Sequence, residues 1–182
     1  MRILDRRFLP HVGRYVFQCA LATAAVLIIL LILDVITQAV IVASLGASSF
    51  IAFTMPHTQS ARARYLVGGY VCGLAAGLAL YAVSDAVGDT AVAGWTLHGD
   101  TIFGAAAVGL AIFLMVVTNT EHPPAAGLAL GVVLADWDPL ALVVPLVGIV
   151  ALSLARLALK PILINLIEVP TEDVKDEPGP GV

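Results

Sequence analysis

Residues 118–131 read TNTEHPPAAGLALG, a glutamate, a histidine and two adjacent prolines set between long aliphatic runs. Two ionisable groups and a pair of helix breakers in so apolar a neighbourhood need a physical reason, and the length of the next segment supplies one. The twelve residues from Pro124 to Ala135 reach about 18 Å as a helix, a little over half of the roughly 30 Å hydrocarbon layer of a bilayer. If the outer end lies at Asp136, the start lies near the membrane midplane. Pro123 and Pro124 suit that start, because a proline in the first helical turn gives up an N–H that would have had no partner. Residues 119–122 must then descend in a non-helical path, which lipid forbids unless protein or a water-filled cavity surrounds it. The stretch predicts a half-helix beside a cavity. The other reading of the proline pair is a tight loop with Glu121 and His122 at the surface.

The membrane setting follows from composition. Of 182 residues, 60% are hydrophobic and 12% charged, and the mean hydropathy is +1.00, well above the apolar content of about 45–50% usual in soluble domains. Apolar stretches long enough to cross a bilayer recur along the chain, so an all-α membrane protein is expected, with a single transmembrane domain over 15–160. A basic N-terminus (1–14) precedes it and an acidic, proline-bearing tail (161–182), disordered at its end, follows. The basic start and first apolar run lack a small-residue cleavage pattern, so that run is expected to be kept as a span. Cys19 and Cys72 lie inside apolar stretches and have neither disulfide nor zinc spacing.

All nine Lys and Arg residues fall in three places: Arg2, Arg6, Arg7 and Arg14; Arg62 and Arg64; and Arg156, Lys160 and Lys175. The positive-inside rule makes these cytoplasmic, with both termini inside and the chain in an inner or plasma membrane. The connection SDAVGDTAVAGWTLHGD (84–100) has no basic residue and should lie outside. Six crossings result. Four are long (about 15–33, 65–83, 101–118 and 140–159) and two are broken or half-helical (36–56 and 119–135). The broken segments sit at corresponding places in two halves that enter from opposite sides, the arrangement of an inverted repeat. SLGASSFIAF (44–53) and HPPAAGLALG (122–131) align loosely.

By the same reasoning a break at Gly46 gives a second half-helix, 47–56, whose N-terminus faces that of 124–135. Each helix N-terminus presents unpaired N–H groups and roughly half a positive charge. Two together suit a small monovalent anion, and no Lys or Arg occurs between Arg14 and Arg62 or between Arg64 and Arg156. In this reading Ser44, Gly46, Ala47 and Ser48 offer N–H and hydroxyl groups on one side. Ala125 and Ala126 offer N–H groups on the other, behind Pro123 and Pro124. His122 borders the site, and Glu121 holds its tautomer or shares its proton, which brings protons in as a second partner. SLGASS is equally readable as a small-residue packing seam. Gly69, Gly73 and Gly77 form one face of a helix, which serves either packing within the chain or a homo-oligomer contact. His57, His98 and His11 read as interfacial or loop residues. No metal spacing is present, and no cofactor or nucleic-acid partner is expected.

These residues carry a family resemblance. The chain resembles the HPP family of integral membrane proteins over about residues 15–160. SLGASSFIAFTMPH (44–57) is similar to that family's first small-residue motif, and TNTEHPPAAG (118–127), with His122, Pro123 and Pro124, to its second. The resemblance implies a compact helical bundle, some relatives of which are associated with nitrite transport. A transporter or channel for a small inorganic anion, nitrite first, is therefore expected rather than an enzyme. The alternatives are a non-transporting sensor or assembly subunit, and an intramembrane enzyme using Glu121 and His122 as an acid–base pair.

The three basic clusters make a direct prediction. In a protein lacking Cys19 and Cys72, Gly88→Cys and Gly179→Cys are labelled by a membrane-impermeant thiol reagent from opposite sides. Labelling of both from one side removes the six-crossing path.

Overall fold

The computed structural model describes residues 12–14, 16–21, 23–25, 39–88, 90–92, 95–97, 99–135 and 140–167. Its helices are α1 (helical over 12–14, 16–21 and 23–25), α2 (Ala39–Thr54), α3 (Ala63–Val87), α4 (Gly99–Thr118), α5 (Pro123–Leu134) and α6 (Leu140–Leu159), with a 3-10 turn at Gln59–Ala61. Among the described residues three stretches are long and apolar enough to cross a membrane: Ala63–Val87, Gly99–Thr118 and Leu142–Leu159. Two shorter apolar helices accompany them, Val42–Thr54 and Pro123–Leu134. The fourth long span, expected over 15–33, falls partly outside the described residues. So does His11, while His98 is itself not described.

The helix ends follow local chemistry. Gly88 closes α3 with φ 65°, donating its N–H to Ser84 O at 2.8 Å; a glycine takes up this left-handed conformation without steric cost. Asn119 closes α4 with φ 52°, as asparagine tolerates better than most residues. There Thr120 N–H reaches Met115 O at 2.9 Å and Asn119 N–H reaches Val116 O at 3.2 Å, the paired bonds of a Schellman ending. Between α3 and α4, where the sequence suggested only an outer connection, β1 (Thr90–Val92) and β2 (Trp95–Leu97) form an antiparallel ribbon with Ala91 opposite Thr96.

Glycines set how closely the helices approach. A Cβ added to Gly69 would overlap the His122 side chain, and one at Gly73 the Ala125 carbonyl oxygen. A Cβ at Gly77 would lie 2.8 Å from Val132 Cβ and 2.9 Å from Ala129 O. Because the paired numbers rise together, α5 runs parallel to α3, in backbone contact with it. The face read as either an internal seam or an oligomer contact is thus filled by residues 120–132 of the same chain. α4 is antiparallel to both helices. Gly104 meets Leu130 and Leu134, Ser84 Oγ donates to Asp100 at one end of the α3–α4 pair, and Arg64 donates to Thr118 O at the other. Outside this contact, Ile102, Phe113, Val116 and Val117 of α4 and Leu154 and Leu157 of α6 point outward, as lipid contact demands.

The break expected at Gly46 is absent: α2 continues as one helix from Ala39 to Thr54. An added Cβ at Gly46 would meet nothing within 4 Å. The loose alignment of 44–53 with 122–131 therefore does not translate into matching breaks, since only the second segment is interrupted. Past α6 the packed body continues to Leu166. Residues 163–166 cross the carboxyl end of α2: Leu166 N–H donates to Thr54 O at 2.8 Å, and His57 N–H donates to Asn165 Oδ1 at 3.1 Å. Gln18 of α1, 3% exposed, clamps both partners by donating to Phe53 O and to Ile164 O at 2.6 Å.

This geometry predicts opposite outcomes at two glycines. Gly73→Ala should lower stability by about 1–3 kcal/mol through overpacking. Gly46→Ala should leave it unchanged or raise it by about 0.5–1 kcal/mol, the usual helix-interior gain. Thermal unfolding of both variants in detergent reads the difference, and equal losses would contradict a continuous α2.

Candidate functional site: a buried hydroxyl and imidazole cluster at the start of helix α5

Helix α5 begins where the sequence placed it. His122 is its N-cap, with extended backbone (φ −144°, ψ 93°), and Pro123 and Pro124 occupy the first turn. The dihedrals fit the rule that a residue before proline is pushed out of the helical region. Residues 119–122 are non-helical, and the Gly68 and Gly69 face of α3 lies against Thr120 and His122. Of the four, Thr120 and His122 are buried against this face, whereas Asn119 and Glu121 are exposed.

His122 is fully buried, and its Nε2 lies 2.8 Å from Ser48 Oγ. The Ser48 hydroxyl also lies 2.9 Å from Tyr70 OH and donates to Ser44 O at 2.9 Å, one turn back along α2. Tyr70 OH in turn donates to Ser44 Oγ at 3.1 Å. The Tyr70 and His122 rings are tilted by 42° with centroids 5.8 Å apart. Three elements therefore contribute: α2 its serines, α3 its tyrosine and the α4–α5 link its histidine. Ser48, Tyr70 and His122 are all 0% exposed, so the cluster is closed and every bond in it is worth more than it would be in water.

The expected site residues divide between two places. Ser44, Ser48 and His122 meet in the cluster, with Ala125 buried just beyond it. Gly46 and Ala47 are exposed on other faces of α2. Gly46 instead lines a cavity of about 320 Å³ shared with Gln18, Cys19, Ser49 and Phe53. Since α2 is unbroken, the N–H groups of Gly46, Ala47 and Ser48 belong to mid-helix and are not an exposed N-terminus; two opposed half-helix ends are replaced by one. At that one end Pro123 and Pro124 have no N–H, and Ala125 N–H is taken by His122 O at 2.9 Å. Ala126 is half-buried in the same turn. The α5 terminus offers a dipole but few backbone donors, and the donors in the cluster are side chains.

Glu121 is exposed, and no hydrogen bond joins it to His122 among the described residues. It neither fixes the ring's tautomer nor assembles an acid–base pair with it. Tyr70 is the functional candidate that pattern reading passed over; a tyrosine inside an apolar helix needs a hydroxyl partner when buried, and that need was the available signal. Arg156, grouped by sequence with surface charges, is 5% exposed and donates to Pro56 O at the carboxyl end of α2. His57 is exposed and donates from Nε2 to Leu163 O at 2.8 Å. Among the described residues no three His, Cys, Asp or Glu come together as metal ligands would.

No curated protein and no solved structure matches this chain. The three helices long and apolar enough to span a membrane among the described residues agree with a match to a membrane family. Residues 9–168 match the family described as HPP, transmembrane region, and the chain belongs to that family of integral membrane proteins.

Proposed function

We propose that this protein transports a small monovalent inorganic anion, nitrite first, across the membrane, and that the Ser44, Ser48, Tyr70 and His122 cluster is where the anion is held. The observation that carries the reading is a fully buried set of neutral donors at the start of a short helix, in a chain with no Lys or Arg between Arg64 and Arg156. Hydroxyl and imidazole groups that turn from one another toward an entering anion can replace part of its hydration shell, and the amino end of α5 adds roughly half a positive charge. A full fixed charge would hold a monovalent anion too tightly to release it; conduction and transport both need binding weak enough to leave. The lipid-facing bundle supplies the barrier, and the basic end, with Arg62, Arg64 and Lys160, is read as cytoplasmic. Any second copy would contact a surface other than the Gly69, Gly73 and Gly77 face, which is already occupied.

Purified protein in liposomes tests this. At neutral pH, nitrite influx should exceed that of protein-free vesicles. Ser48→Ala removes the hydroxyl shared by all other members of the cluster and should lower influx by about tenfold or more, about 1.4 kcal/mol of lost interaction. Gly109→Ala, at a position with open space around it, serves as the folded control. Influx equal to that of empty vesicles would remove the transport reading, and full influx in Ser48→Ala would move the anion elsewhere.

A further inference from the structure

Two buried side-chain nitrogens lack a hydrogen-bond partner among the described residues, Arg156 Nε and His122 Nδ1. Arg156 already donates through its other nitrogen to Pro56 O. His122 Nδ1 has no such substitute. A buried polar atom left unpaired forfeits the hydration it had in water, so its partner matters.

The protons of the cluster identify what that partner must be. The Ser48 hydroxyl has one proton, which points at Ser44 O, and Tyr70 has one, which Ser44 Oγ and Ser48 Oγ share as acceptors. Were Ser48 to donate to Nε2 instead, the ring hydrogen would sit buried on Nδ1 with no acceptor among the described residues, and orphaned buried N–H groups are rarer than bare acceptors. The arrangement that pairs every ring hydrogen has Ser48 Oγ accepting from the imidazole. Nε2 therefore carries the ring hydrogen, and Nδ1 is a bare lone pair. An anion gains nothing from a lone pair. A proton arriving alone would leave an uncompensated charge, because the surroundings provide no counter-ion. Between Ala39 and Thr54, and between Pro123 and Leu134, there is no titratable residue at all. On α3 the titratable group facing the ring is Tyr70. Cys72, two residues on from Tyr70, is engaged with Thr118 and Thr120. Glu121 is exposed, Arg156 is at the basic end against Pro56, and Asp100 is at the opposite end against Ser84.

A proton and an anion arriving together meet neither difficulty, since the new Nδ1–H donates to the anion and the pair is neutral. We propose that His122 Nδ1 binds a proton and the transported anion as a pair, so that each cycle carries the anion together with one proton. This rests on the anion-transport reading above and deepens it. The proton leaves hydronium on the entry side, forms the Nδ1–H bond, and returns to water on the exit side as the anion departs. No electrons are exchanged and no net charge crosses, so the cycle is indifferent to membrane potential.

Binding linkage gives the test, because an anion that binds only with a proton has an affinity proportional to proton concentration while the free ring is neutral. Calorimetric titration of the purified full chain in nanodiscs with sodium nitrite should show Kd tightening about tenfold per unit between about pH 8 and about pH 6. Repeating it in buffers of different ionisation heat should show one proton taken up per nitrite. His122→Gln keeps a donor for Ser48 but loses the basic nitrogen, and should bind nitrite more weakly with no pH dependence. Nitrite binding without proton uptake overturns this proposal and leaves the anion reading standing, whereas absence of any nitrite binding overturns both. A pH response retained in His122→Gln overturns it as well. If that variant does not fold, the proton count on the unmodified protein decides alone.

Discussion

The contact on which the rest depends is backbone against backbone, where α5 lies on the glycine face of α3. At Gly69, Gly73 and Gly77 there is no room for a Cβ, and this lets a helix too short to span a bilayer sit inside the bundle. The same contact covers Thr120 and His122 of the non-helical link, while Asn119 and Glu121 stay exposed. It also fixes His122 at the height of Tyr70, the residue after Gly69, within reach of Ser48 on α2. A packing requirement and a chemical site are thus met by one stripe of missing side chains.

The start of α5 separates two properties that usually come together. Most helix N-termini offer both a dipole and free N–H groups. Here the prolines remove two donors, and His122 O occupies that of Ala125. The field remains and the hydrogen bonds must come from elsewhere. Ser44, Ser48 and Tyr70 supply them from neighbouring helices, which ties the site's geometry to the packing of α2 and α3 and not to a local loop.

Much of this was legible in the sequence because it follows from length and backbone chemistry. The proline pair, the twelve-residue apolar run after it and the long aliphatic spans mark α4 to α6 within a residue or two of their observed ends, and α3 within four. Gly46 misled because a glycine in a helix costs only about 1 kcal/mol relative to alanine, which a packed bundle absorbs without breaking. Helical periodicity held the better answer: Ser44 and Ser48 are four apart and share a face, while Gly46 lies nearly opposite. Arg156 and Gln18 could not be placed from local pattern at all. Their burial depends on contacts with residues a hundred or more positions away, Pro56 for Arg156 and Ile164 for Gln18, and no window of sequence carries that.

The crossing of 163–166 over α2 has a consequence for how the protein is made. The carbonyls of Phe53 and Thr54 find their donors in Gln18 and Leu166, and Pro56 O finds its own in Arg156. During synthesis, α2 is complete long before the last of these partners leaves the ribosome. Until then the end of that helix has to satisfy its acceptors with water or with the insertion machinery. Closing the basic end is therefore a late step of biogenesis, and a ribosome stalled before residue 156 leaves a chain in which Thr54 O and Pro56 O still lack their protein donors.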